Sequence, residues 1–173
     1  RPPPFTATVS PLNYRFPADR LVQAFKFRRQ HVAGRILADI MAENILAEPQ
    51  CRPDMLIPVP LHLARFAQRG FNQAYELANR VGAIHGIQVN AESLRRKRRT
   101  RAQSGLSRKQ RKSNVSGAFD WAGHRKAGRH VALVDDLMTT GTTVVECTRV
   151  LIKDGAKRVD VWVAARSVPG TTN

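Results

Sequence analysis

The spacing of apolar positions along this chain changes character several times, and each change marks an element. VALVDD (131–136) is a nearly uninterrupted apolar run closed by two acids, the pattern of a strand buried on both faces of a parallel sheet. TTVVECTRVLIKDGA follows as a helix ended by Gly155, and VDVWVAAR is a second buried strand. Strand, helix and strand within about 35 residues make a βαβ unit, which implies a parallel sheet and a right-handed crossover.

The earlier half is read the same way. Residues 1–16 hold three consecutive prolines and few apolar groups, so an extended arm or linker remnant is expected there, with the main domain over 17–173. Pro17 can open a helix over PADRLVQAFKF. HVAGRILADIMAENIL repeats Val32, Ile36 and Ile40 at helical spacing. DMLIPVPL is a short apolar strand, and Pro58 and Pro60 bar regular pairing at its end, so a loop begins there. FNQAYELANRVGAIHG is an amphipathic helix on Phe71, Ala74, Leu77, Val81 and Ile84, with Gly86 as its stop. No internal repeat interrupts this order.

Composition narrows the class. At 173 residues the chain fits one domain with a real core. No apolar run approaches the roughly 18 residues that a membrane span requires, and the opening RPPPFTATVS has no apolar signal core. Cys51 and Cys147 are the two cysteines, without CxxC spacing, so neither a zinc site nor a disulfide framework is expected. Each is expected to act as a small buried hydrophobe, and a cytoplasmic home follows by default. The charge changes the picture further. Lys and Arg exceed Asp and Glu by 29 − 13 = 16, which points to a polyanionic partner or a phosphate-rich ligand. Ten of these cations fall in residues 95–112: Arg95, Arg96, Lys97, Arg98, Arg99, Arg101, Arg108, Lys109, Arg111 and Lys112, with no acid among them. Such a run repels itself and is expected to be a mobile loop until an anion neutralises it.

The chemistry concentrates in VALVDDLMTTGTT. Ligands of α/β folds bind beyond the carboxyl ends of parallel strands, where Asp135 and Asp136 are expected. Thr139, Thr140, Gly141, Thr142 and Thr143 then offer hydroxyls and backbone N–H groups at the start of a helix, a setting that favours phosphate. The acids can accept hydrogen bonds from two ribose hydroxyls while the loop holds the 5′-phosphate, so one segment over residues 134–143 can hold a ribose 5-phosphate.

This segment resembles the phosphoribosyl pyrophosphate-binding signature of type I phosphoribosyltransferases. PVPLHLARFAQRGFNQAYELA, the residues around Thr100 and Gln103, RKSNVSGAF and AFKFRRQHVAGRILA extend the resemblance to the ComF family, from about Leu21 to Arg166. The resemblance implies an α/β fold: a type I phosphoribosyltransferase-like parallel sheet flanked by helices, with a smaller hood over about residues 92–115. It makes Asp135 and Asp136 the candidate catalytic acids and assigns the threonines and Gly141 to the 5′-phosphate. Arg65 and Arg69 become cationic candidates for pyrophosphate, with Lys26 more distant. It also implies Mg²⁺ carried on the substrate, and an association with competence and DNA uptake. Two departures stand out. ComF-like proteins usually begin with a cysteine-paired zinc module, so a longer natural protein is expected here. Thr139 stands where purine-salvage members place an acid, which argues against ordinary purine salvage.

Three functions follow as expectations. The first is transfer of a phosphoribosyl group to an unidentified acceptor. The second is a non-catalytic sensor of phosphoribosyl pyrophosphate whose hood (Arg95, Arg96, Lys97, Arg98, Arg99 and Arg101) holds single-stranded DNA, with Trp121 and Phe119 able to stack on bases. The third, a plain nucleic-acid binder, leaves Asp135 and Asp136 unexplained, since carboxylates repel phosphates.

Overall fold

The computed structural model describes residues 2–28, 30–46, 52–98, 108–123 and 128–167; Cys51 lies outside them. The longest apolar run becomes the centre of the molecule. Strand β7 (His130–Met138) lies between β8 (Arg158–Arg166) and β3 (Met55–Pro58), parallel to both. β4 (Gln88–Val89) continues the sheet beyond β3. On the far side, β1 (Ala7–Val9) and β2 (Leu12–Asn13) pair in parallel with β8, giving the order β1–β8–β7–β3–β4 with β2 beside β8. Where an extended arm is expected, the chain therefore supplies two short sheet strands. Pro58 also differs from expectation: it is buried and stays in register with Val134, and the loop begins one residue later.

Alternation along β7 separates two cores. Ala132 and Val134 join a cluster with α1 (Ala18–Arg28), α2 (His31–Leu46) and α4 (Gln73–His85). Val131 and Leu133 join another with α6 (Thr142–Lys153) and with Leu94 and Phe119. Those last two residues belong to a small antiparallel hairpin of β5 (Leu94–Arg96) and β6 (Phe119–Trp121). Two further short helices, α3 (Leu63–Arg69) and α5 (Arg108–Val115), complete the described elements.

The helices form for local reasons. Asn72 caps α4 by accepting from the Ala74 N–H at 3.0 Å, and Gly86 closes it in the left-handed region at φ 64°. In α2 the buried face is one residue away from the expected one. Val32 is 69 % exposed, whereas Ala33, Leu37, Met41 and Ile45 lie inside. Beside that face α2 approaches α1 closely at Gly34. The far end of the sheet is fixed by carboxylates: Asp54 accepts the N–H groups of Arg129 and His130, both at 2.9 Å. Buried Asp160 accepts from Arg158 and meets His130 Nε2 at 2.8 Å.

Gly34 provides a test of this packing. A methyl group there would stand 2.8 Å from Phe25 Cδ2 and Cζ, and closer still to Cε2, in a ring with no exposed surface. Gly34→Ala gains about 1 kcal/mol of helix propensity but overpacks the core at a cost of about 1–3 kcal/mol. A net loss of up to about 2 kcal/mol is expected from these opposing effects, read as a lower denaturation midpoint.

Candidate functional site

β7 does not stop at its acids. It pairs with β8 through Leu137↔Ala165 and Met138↔Arg166, so Asp135 and Asp136 sit inside the strand, as its sixth and seventh residues of nine. The connection to α6 is only Thr139, Thr140 and Gly141. Gly141 takes φ 70° and ψ 5° as the residue that caps α6, a left-handed turn that side chains disfavour. It brings the chain from strand to helix so abruptly that the first N–H groups of α6 open beside the acids. No side chain caps that helix end. Thr140 and Thr142 share a hydroxyl contact at 2.8 Å across the turn. Thr139 and Thr140 are exposed, and Thr142 and Thr143 are half-buried.

The two carboxylates face different surroundings. Asp136 is 5 % exposed and is held by Lys26 of α1, whose Nζ lies 3.2 Å from Oδ1 and 2.9 Å from Oδ2. Lys26, expected as the distant cation, is the one that touches the acid pair. Asp135 is half-buried toward the layer that contains Cys147 of α6. Its carboxyl is pushed up to about 7, first by burial and then by the neighbouring Asp136, while Lys26 pulls it down. Asp135 also accepts the Asp136 N–H at 2.9 Å. Below them Cys147 is fully buried, and burial together with Asp135 holds its thiol protonated, well above the usual range.

The cations divide into three groups. Arg65 lies half-buried on α3, held below its usual range by burial and by Arg69. Arg96 of β5 stacks on Phe119 at 5.2 Å and is pushed down to about 10, by burial and then by Arg65, against a pull from Cys147 and Asp135. Arg96 therefore belongs with the acid pair and Arg65, although the sequence places it with the hood cations. Arg69 turns elsewhere: it donates to Gln73 at 3.0 Å and covers the Phe27 ring at 5.4 Å.

The expected mobile basic loop is replaced, over its described parts, by the hairpin and α5. Leu94 is buried, and each cation near it finds a neighbour. Arg95 donates to the Glu92 carbonyl at 3.0 Å, Arg98 to those of Ser116 at 2.8 Å and Asn114 at 3.3 Å, and Lys97 meets Asp120 at 3.6 Å. An acid and three carbonyls from flanking segments offset the repulsion that the run has when read alone. Phe119 is buried, so it is not available to bases; Trp121 is half-buried. Arg99, Thr100, Arg101 and Gln103 lie outside the described residues.

Residues 34–171 match the family model described as a phosphoribosyl transferase domain. The DNA utilization protein YhgH of Escherichia coli (strain K12) is 33 % identical over 172 residues, covering 97 % of this chain and 75 % of that protein. Competence protein F of Haemophilus influenzae is 35 % identical over 161 residues, covering 90 % and 70 %. The chain belongs to the ComF family. Its fold is that of type I phosphoribosyltransferases. The glutamine phosphoribosylpyrophosphate amidotransferase from B. subtilis, complexed with ADP and GMP, shares it at a TM-score of 0.50 and 21 % identity. That match covers 76 % of this ComF-family chain and 26 % of the amidotransferase. Among the described residues no helix is long and apolar enough to cross a membrane.

The raised Asp135 carboxyl has a measurable consequence. Between its ordinary value of 3.8 and about 7, the folded chain keeps a proton on Asp135 that the unfolded chain has released. The unfolded state binds fewer protons in that window, so this group makes stability fall as pH rises from about 4 to about 7, and level off above. Asp135→Asn should remove that decline. Denaturant midpoints of both proteins across this window give the difference directly.

Proposed function

We propose that this ComF-family chain binds phosphoribosyl pyrophosphate at residues 134–143 and transfers its phosphoribosyl group to an acceptor. One observation carries the reading: two carboxylates near the carboxyl end of β7 lie six and seven residues ahead of a helix start that a left-handed glycine leaves open. Ribose hydroxyls would donate to Asp135 and Asp136. The 5′-phosphate would take the loop N–H groups, the threonine hydroxyls and the positive end of α6. Arg65 and Arg96 lie on the acid pair's side and are the cations suited to the diphosphate.

In the transfer step, the bond between C1 and the diphosphate oxygen breaks and its electron pair leaves with pyrophosphate. The acceptor's lone pair forms the new bond to C1. Charge at the oxocarbenium-like centre would be stabilised by Asp135 and Asp136, which are fixed before the substrate arrives. Among the described residues no three His, Cys, Asp or Glu side chains gather as a metal cage. Mg²⁺, which the family resemblance implies, would be carried by the substrate's diphosphate and would neutralise the leaving group.

A second reading is favoured by the names of two relatives, a DNA utilization protein and a competence protein, together with the excess of sixteen positive charges. In it the chain senses phosphoribosyl pyrophosphate without transfer and holds single-stranded DNA. Phosphate contacts by Arg95, Arg96, Lys97, Arg98, Arg99 and Arg101 would give a log–log salt slope of about −0.7 per contact.

Calorimetry tests the site common to both readings. Replacing Asp135 and Asp136 together by Asn should weaken phosphoribosyl pyrophosphate by about tenfold or more, because two charge-assisted hydrogen bonds are lost. Affinity for inorganic phosphate should hardly change. Unchanged affinity for phosphoribosyl pyrophosphate would remove the acids from the site. Incubation with candidate bases and release of pyrophosphate then separates transfer from sensing.

A further inference from the structure

Two of the exposed aromatic residues, Phe27 and Phe66, lie on α1 and α3, the elements that carry Lys26 and Arg65. Phe27, at the end of α1, is 69 % exposed, and Phe66 on α3 is 48 % exposed. The guanidinium of Arg69 lies 5.4 Å from the centre of the Phe27 ring. Phe66 and Arg69 are three residues apart on α3 and therefore neighbours on its surface. Phe27, Arg69 and Phe66 thus form one lip across two elements. The lip borders the mouth of the site. Lys26, beside Phe27 in the chain, holds Asp136. α3 follows β3, whose last residue pairs with Val134, just before Asp135.

We infer that this lip is a stacking platform for the bases of single-stranded nucleic acid. The inference rests on the DNA-binding reading given above and adds a surface that the sequence did not assign. Its chemistry fits that occupant. Flat rings exposed to water, with a guanidinium stacked on one of them, provide π-faces for bases and a cation for the intervening phosphate. α3 carries Arg65 and Arg69 and no acid, so the surface complements a polyanion. Arg95 and Arg98, by contrast, already engage carbonyls, Lys97 engages Asp120 and Arg96 engages Phe119. A strand gripped at the lip would pass directly over the phosphoribosyl site.

Fluorescence anisotropy of this chain at low salt tests the assignment, using a labelled oligothymidylate and an abasic strand of equal length and charge. The base-containing strand should bind about tenfold tighter or more, since stacking on an aromatic side chain is worth that much per base. Phe27→Ala with Phe66→Ala should abolish this preference while keeping the abasic affinity, the salt slope and phosphoribosyl pyrophosphate binding. Phe27→Tyr with Phe66→Tyr should restore it. A preference that survives in the alanine variant, or its absence from a wild type that binds both strands, overturns the lip and leaves the DNA-binding reading standing. Binding of neither strand overturns both. Light scattering closes the remaining case: a wild-type dimer that the alanine variant loses would make the lip a contact between copies and overturn the inference.

Discussion

A strand covered on both faces carries two adjacent carboxylates within it, and the rest of the molecule is arranged around that constraint. Burying a carboxylate without a counter-charge costs several kcal/mol, so an acid inside β7 survives only where the surroundings compensate it. Asp136 is compensated by Lys26, which comes from an element 110 residues earlier in the chain. That contact fixes the end of α1 over the sheet, and α1 in turn seats α2 through Phe25 and Gly34. Asp135 has no such cation in hydrogen-bonded contact, and its carboxyl rises instead. Two adjacent residues of one type thus enter the site in different surroundings, set by which layer each one meets.

Much of this was legible in the sequence because it depends on local pattern. An apolar run closed by acids, a helix and a second apolar run define β7, α6 and β8 with little help from elsewhere. Asn72 and Gly86 bracket α4 through cap chemistry that involves only their neighbours. The misread features depend on distant partners. β1 and β2 have three and two residues, too short to show any period, and exist because β8 offers an edge. On α2 two apolar stripes run side by side, and only packing against distant elements decides that Leu37 and Met41 face in while Val32 and Ile36 face out.

The placement of the acid pair and of the glycine turn follows from local pattern, whereas the placement of the cations does not. Arg and Lys reach their partners through long side chains, so their position in the sequence says little about where the charge lies. Lys26, far from the acids in sequence, touches Asp136; Arg96, within the basic run, lies near Asp135; Arg69, in the segment after β3, lies over Phe27. The hairpin explains part of this. Its two strands bury Leu94 and Phe119 against α6, which carries Arg96 inward with them.

The sheet's borders set a limit of another kind. At one border β4 has only two residues. At the other, β1 and β2 are separated by Ser10 and Pro11, and a proline has no N–H to offer. Neither border presents the long, regular row of backbone groups on which a foreign strand could grow. The described sheet is therefore closed to extension through its backbone, although most of its length is strongly apolar. Recruitment of another molecule falls to side chains, and a chain so rich in arginine and lysine can choose its company by charge.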